Sequence, residues 1–131
     1  MAFFTDARVA IAQRLAARQR EGCDVRVVVG NDEIPAGDSV LSTLRGAGVG
    51  VTLYPARGGG WGLHSKYLLI DARYAGSSAH QRLVFTGSHN WTGPALEIND
   101  ETMLRVVDEG VYAAFLAEYG DVDLYPADPE M

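Results

Sequence analysis

The sequence predicts an α/β domain with a mixed, mostly parallel sheet flanked by helices. Three observations carry this. Two segments with apolar residues at helical spacing each precede a short β-branched run, the helix–strand alternation of parallel sheets. A glycine-rich stretch, Arg57-Gly58-Gly59-Gly60-Trp61-Gly62, then breaks the alternation. Beyond it, two apolar runs separated by a turn-like segment predict a hairpin.

The elements follow in order. Thr5 to Glu21 reads as a helix, because Phe4, Ala7, Ile11 and Leu15 recur at its spacing, Thr5 can cap it and Gly22 stops it. Asp24 to Val29 is a strand covered on both faces, bounded by Gly30. Pro35 and Gly37 open a second helix carrying Val40, Leu41 and Leu44, closed by Gly46, and Val49 to Tyr54 is a second strand. His64 to Arg73 and Arg82 to Thr86 form the hairpin around Tyr74-Ala75-Gly76-Ser77-Ser78-Ala79. A strand from Glu101 to Val107 and a helix striped by Val111, Phe115 and Tyr119 complete the domain. Residues 1–120 are read as one unit and 121–131, acidic with two prolines, as a loosely ordered tail.

With 131 residues, 47% of them hydrophobic, the chain is long enough for a real core. No apolar run reaches the roughly 20 residues of a membrane span, and no secretory signal is visible. The chain as it stands is therefore expected in the cytoplasm, or outside the cell if it is a fragment of a longer parent. The one cysteine, Cys23, follows Gly22 and is expected to be a small buried hydrophobe. Net charge is −6 at pH 7, and the densest basic group, Arg14, Arg18 and Arg20, falls on the outer side of the first helix. That balance argues against tight binding to duplex nucleic acid.

Lys66 is the only lysine beside ten arginines. A compact ammonium differs from a planar guanidinium wherever one phosphate oxygen must be held close to a nucleophile. Residues two apart on a strand share a face, so His64 and Lys66 point together, as do Ser88 and Asn90 if their segment is extended. Imidazole, ammonium, hydroxyl and amide suit a phosphodiester: the imidazole attacks phosphorus and the others bind its nonbridging oxygens. Such an imidazole needs an acceptor on its second nitrogen, and Glu101 is the best candidate.

The pattern His64-x-Lys66-x4-Asp71, followed by Gly87-Ser88-x-Asn90 and a strand opening Asn99-Asp100-Glu101, resembles the HKD signature of the phospholipase D superfamily. The resemblance covers Asp6 to Tyr119. The fifteen residues 72–86 between the two parts make a longer connection than the family pattern, which the hairpin accounts for. It implies a phospholipase D-like fold, a phosphohistidine formed on His64, and Lys66, Ser88 and Asn90 on the phosphoryl oxygens. Asp71 would support the local fold, and no metal or other cofactor is required. Family sites join two copies across a twofold axis, the second histidine protonating the leaving group. This chain carries one, so a homodimer or a second HKD domain is implied.

The expected activity is phosphodiester hydrolysis or transphosphatidylation, with a phospholipid or small phosphodiester preferred. The alternatives are a dimeric, metal-independent endonuclease and an inert half-domain acting as an interaction module. His89 lies on the opposite face from its neighbours and is expected to be structural, though a loop position would let it line the pocket. His80 is expected to be solvated. Trp61 and Trp91 are packing residues or a pocket wall. Gly58-Gly59-Gly60 precedes a strand, so it reads as a mobile lip and not a phosphate loop. A metal site from His64, His80, His89 and Asp71 matches no zinc spacing.

Overall fold

The structure, a computed structural model, describes residues 1–31, 34–54 and 62–121 in full and the backbone of 122–123. The glycine lip, Trp61 and the tail beyond residue 123 lie outside the described residues.

A single 3-10 turn, Asp6–Arg8, leads into α1 (Val9–Arg20). Then come β1 (Arg26–Gly30), α2 (Asp38–Gly46), β2 (Gly50–Tyr54), β3 (Tyr67–Arg73), β4 (His80–Gly87), α3 (Gly93–Glu97), β5 (Met103–Val107) and α4 (Glu109–Asp123). The α/β class is as the sequence predicts. β1 and β2 pair in parallel, whereas β3–β4–β5 form an antiparallel meander. Antiparallel ladders thus predominate among the described strands, where mostly parallel pairing was expected. Short loops force the reversal at β3–β4: Ala75 and Gly76 take φ of 51° and 77°, the left-handed geometry of a tight hairpin turn.

Residues 1–5 join the two ladders. The Met1 nitrogen donates to the Val28 carbonyl (2.8 Å) and the Gly30 amide donates to the Met1 carbonyl (3.2 Å). On the other side the Trp91 amide donates to Phe3 O (3.0 Å) and the Thr5 amide to Trp91 O (3.1 Å). Phe4 is fully buried, meeting Trp91 edge to face at 4.8 Å. Its burial stabilises the seam by about 1.5–3 kcal/mol.

The core lies where α1 and α2 meet β1. Ala12, Val27, Val29, Val40 and Leu44 share it with Phe4. Val28 is buried on the other face of β1, as a strand covered on both sides requires. α2 is capped from a distance, since its N-cap, Gly37, has no side chain and Asp6 Oδ1 accepts the Val40 amide at 3.0 Å instead. A Cβ on Gly37 would collide with that carboxylate. Thr5 precedes the 3-10 turn as expected, but its side chain makes no cap hydrogen bond.

Cys23 is exposed, contrary to the expectation of a buried hydrophobe. It belongs to the turn after α1, where Gly22 takes φ of 98°, and the buried run starts only with Val27. No helix of the described residues is long and apolar enough to cross a membrane.

Candidate active site

β3 begins at Tyr67, so His64 and Lys66 precede the strand they were expected to share. The β3–β4 ladder ends at Tyr67 opposite Thr86, and Gly87 turns to pair with Met103 of β5 instead. The Thr86 hydroxyl nevertheless anchors the preceding segment by donating to the Lys66 carbonyl at 3.1 Å. Lys66 Nζ donates to the His64 carbonyl (2.7 Å) and lies 3.2 Å from each ring nitrogen of His64. The two side chains are together, held by a local loop and not by strand alternation. His64 is exposed and Lys66 half-buried.

Gly87 and Ser88 begin the second part of the motif. The Thr102 carbonyl comes so close to Gly87 that a Cβ there would strike it, which is a physical reason for glycine before this serine. The Ser88 amide then donates to Thr102 O (3.0 Å), while its hydroxyl accepts from the Thr102 amide (3.1 Å) and donates to Glu101 Oε2. Asn99 Nδ2 holds the other carboxylate oxygen at 3.3 Å. These bonds, that from Ser88 foremost, keep the Glu101 carboxyl below the usual carboxylate range, and the charges of His89 and Lys66 add to the effect. Burial lowers Lys66 from the ordinary lysine value, and Glu101 opposes that shift. In this structure Glu101 bonds Ser88 and Asn99, and the side chain beside the His64 ring is that of Lys66.

Asn90 and Ser88 diverge. Asn90 Oδ1 accepts the Phe3 amide at 3.1 Å, tying the motif to the seam of residues 1–5. Asp71 lies within β3, where it holds Arg82 (3.1 Å) directly across the ladder and His80 (3.1 Å) at the turn end. His80, expected to be merely solvated, is thus paired although its side chain is mostly exposed. Those two hydrogen bonds, His80 first, lower the Asp71 carboxyl from its ordinary value.

His89 is buried, with 9% of its surface exposed. With Lys66, Trp91, Leu68, Ile70 and Phe85 it lines a cavity of about 210 Å³ beside the motif. Trp91 packs on Phe4 and also lines this cavity. Trp61 lies outside the described residues. No group of three or more His, Cys, Asp and Glu among the described residues is arranged to hold a metal.

Sequence reasoning missed Asn99 and Thr102 as supports of Glu101 and Ser88, and Arg8 as the brace of α3. Arg8 donates to Thr92 O (3.1 Å), Gly93 O (3.1 Å) and Glu97 Oε1 (2.8 Å). Asn99 beside an acidic candidate was the only local signal. Nothing in helical spacing links Arg8 to a segment 84 residues away.

Comparison with known proteins agrees with this fold. The family described as the phospholipase D-like domain of cardiolipin synthase matches residues 1–121. A mitochondrial cardiolipin hydrolase of Xenopus laevis is 31% identical over 116 residues, 88% of this chain and 50% of that protein. Its namesake in Homo sapiens is 31% identical over 100 residues, 76% of this chain and 35% of that one. The chain thus spans half or less of these curated relatives. Among solved structures, Nuc, a phospholipase D family member from Salmonella typhimurium, superposes with a TM-score of 0.70 at 21% identity, covering 93% of this chain and 74% of that one. A polyphosphate kinase from Porphyromonas gingivalis superposes at 0.67 with 18% identity, covering 98% of this chain and 22% of that one. Matched along its length by the family's domain and sharing the fold of one of its solved members, the chain belongs to the phospholipase D superfamily.

Proposed function

We propose that the chain hydrolyses phosphodiesters, or transfers their phosphatidyl group, through a covalent phosphohistidine on His64. The observation that carries this is the Lys66 ammonium 3.2 Å from the His64 ring, with Ser88 and Glu101 bonded to one another nearby in the same signature. A ring nitrogen of His64 attacks phosphorus while Lys66 and Ser88 take up charge on the nonbridging oxygens. Asn90 turns its amide N–H to the same oxygens and keeps its carbonyl on Phe3. When the Ser88 hydroxyl turns from Glu101 to a phosphoryl oxygen, it frees one carboxylate oxygen to accept from His64 and orient it. Asp71 acts through the hairpin and not on substrate.

A second chain supplies the other histidine, which protonates the leaving oxygen; a homodimer is the simplest source. A phospholipid or other small phosphodiester is the preferred substrate, since the net charge of −6 opposes a polyanion. The curated relatives are named as cardiolipin hydrolases, which favours the same class.

The test is turnover of bis(p-nitrophenyl) phosphate in chelator, with light scattering on the same sample. A dimer that turns over substrate and traps acid-labile phosphohistidine is expected, and His64→Ala should lose at least about 1000-fold in kcat/KM. Full activity in that variant would remove His64 from the mechanism, and a strictly monomeric active protein would remove the second copy. Plasmid nicking in the absence of lipid hydrolysis would replace the lipid reading with a nuclease.

A further inference from the structure

Lys66 stands one residue ahead of β3, in a stretch that belongs to no helix or strand. Its side chain is a flexible four-carbon stem, so the ammonium is only as well placed as the backbone that carries it. Upstream, Leu63 is buried and fixes one end of the stretch. Downstream, Tyr67 fixes the other end, and the groups that hold the Tyr67 side chain come from α4.

Two contacts make that hold. The Tyr67 ring meets Phe115 edge to face, with centroids 5.1 Å apart. The Tyr67 hydroxyl donates to Glu118 Oε2, 51 residues along the chain. Burial first, and then that bond, push the Tyr67 hydroxyl above its ordinary range, so it remains a donor at neutral pH. Hydrogen bonds to a carboxylate are among the stronger ones. Phe115 and Glu118 are three apart on α4 and share one face of it. Thr86, the partner of Tyr67 across the ladder, secures the Lys66 carbonyl from β4. Lys66, Tyr67, Thr86, Phe115 and Glu118 all border one cleft of about 380 Å³.

We infer that Glu118 is a positioning residue: through Tyr67 it fixes the start of β3, and with it the reach of Lys66 toward the His64 ring. The inference rests on the phosphodiesterase reading and adds to it a residue outside the signature. Misplacing a catalytic group by about 1 Å costs on the order of 100-fold in rate. Glu118 is exposed, and exposed polar contacts contribute little to the fold, so its removal should disturb turnover far more than folding.

Lys66 is the only lysine, so isotopic labelling of lysine at Cε gives one side-chain NMR signal to follow. In the wild type its two Hε protons should be distinct, as an immobilised ammonium requires. In Tyr67→Phe, which keeps the ring on Phe115, they should merge, and the titration midpoint should rise toward 10.5 as burial is lost. No charge changes in that variant, and the titrating groups around Lys66 (His64, Glu101 and the Met1 amine) are unaltered. The kcat/KM for bis(p-nitrophenyl) phosphate should fall about 10–100-fold in Tyr67→Phe and in Glu118→Ala, and no further in the double variant. Glu118→Gln, which can still accept from the Tyr67 hydroxyl, should retain most of the activity. Two Hε protons that stay distinct in both Tyr67→Phe and Glu118→Ala overturn the inference, and so do losses that add in the double variant. If even the wild type turns over no phosphodiester, the catalytic reading fails on its own, while the Lys66 signal still decides whether Glu118 places it.

Discussion

Ser88 serves two neighbours with one hydroxyl, donating to Glu101 while accepting from the Thr102 amide. The donated bond is the largest cause of the lowered Glu101 carboxyl, so removing it has a signed consequence. In Ser88→Ala the ionised carboxylate loses its best donor and the Glu101 pKa rises toward the ordinary value of 4.5. If the carboxylate is the working form, the acid limb of the kcat/KM profile moves to higher pH in that variant. In Glu101→Gln the limb disappears. A limb unmoved by Ser88→Ala would show that another group sets it. The sequence made Ser88 and Glu101 visible because each residue type suits phosphate chemistry. It did not reveal their mutual bond, which depends on the backbone of Thr102 closing over Gly87.

At the level of elements, the β3–β4 hairpin is where Asp71 acts. Its carboxylate bridges Arg82, its partner across the ladder, and His80 at the turn end. A folded-state pKa lowered from 3.8 contributes stability that is complete above that value and is lost as pH falls through the lower folded pKa. The wild type should therefore lose more stability than Asp71→Asn on acidification below about pH 4. Urea denaturation across pH reads this, and parallel curves for the two proteins would dismiss the bridge. At neutral pH the variant should melt only slightly earlier, because exposed pairs contribute little. The hairpin was legible from two apolar runs flanking a turn-like segment. α3 was not, since five residues are too few to show a helical period. Its start is set by Thr92, whose hydroxyl accepts the Ala95 amide at 3.4 Å, and its position by Arg8 far upstream.

For the whole molecule, the decisive packing is α1 and α2 on β1, with Leu44 fully buried at its centre. Leu44→Ala should destabilise the fold by about 2–5 kcal/mol, measured by chemical denaturation. Tryptophan fluorescence and far-UV circular dichroism should report one coincident transition, because Trp91 packs on the same core. Separate transitions would show that the two ladders unfold independently. The apolar periodicity of both helices and the β-branched run of β1 made this core readable in advance. That β5 pairs with β4 was not readable, because alternation fixes the buried face and says nothing of the neighbour. The exposure of Cys23 has a similar origin: a residue between a helix stop and a strand start belongs to neither pattern.

The seam at residues 1–5 has a kinetic consequence. The bond from the Phe3 amide to Asn90 closes a separation of 87 residues, whereas the β3–β4 hairpin closes across the six residues 74–79. Loop-closure scaling makes the longer closure less favourable by about 2 kcal/mol. Each ladder should therefore assemble before the seam that joins them, and the seam should be the first part to part again. Native-state hydrogen exchange reads this directly: the Thr5 and Trp91 amides should exchange through a partial opening while Val29 and Val84 wait for global unfolding. Because Asn90 is both a candidate phosphate ligand and a tooth of that clasp, each such opening would briefly disarm the site without unfolding the domain.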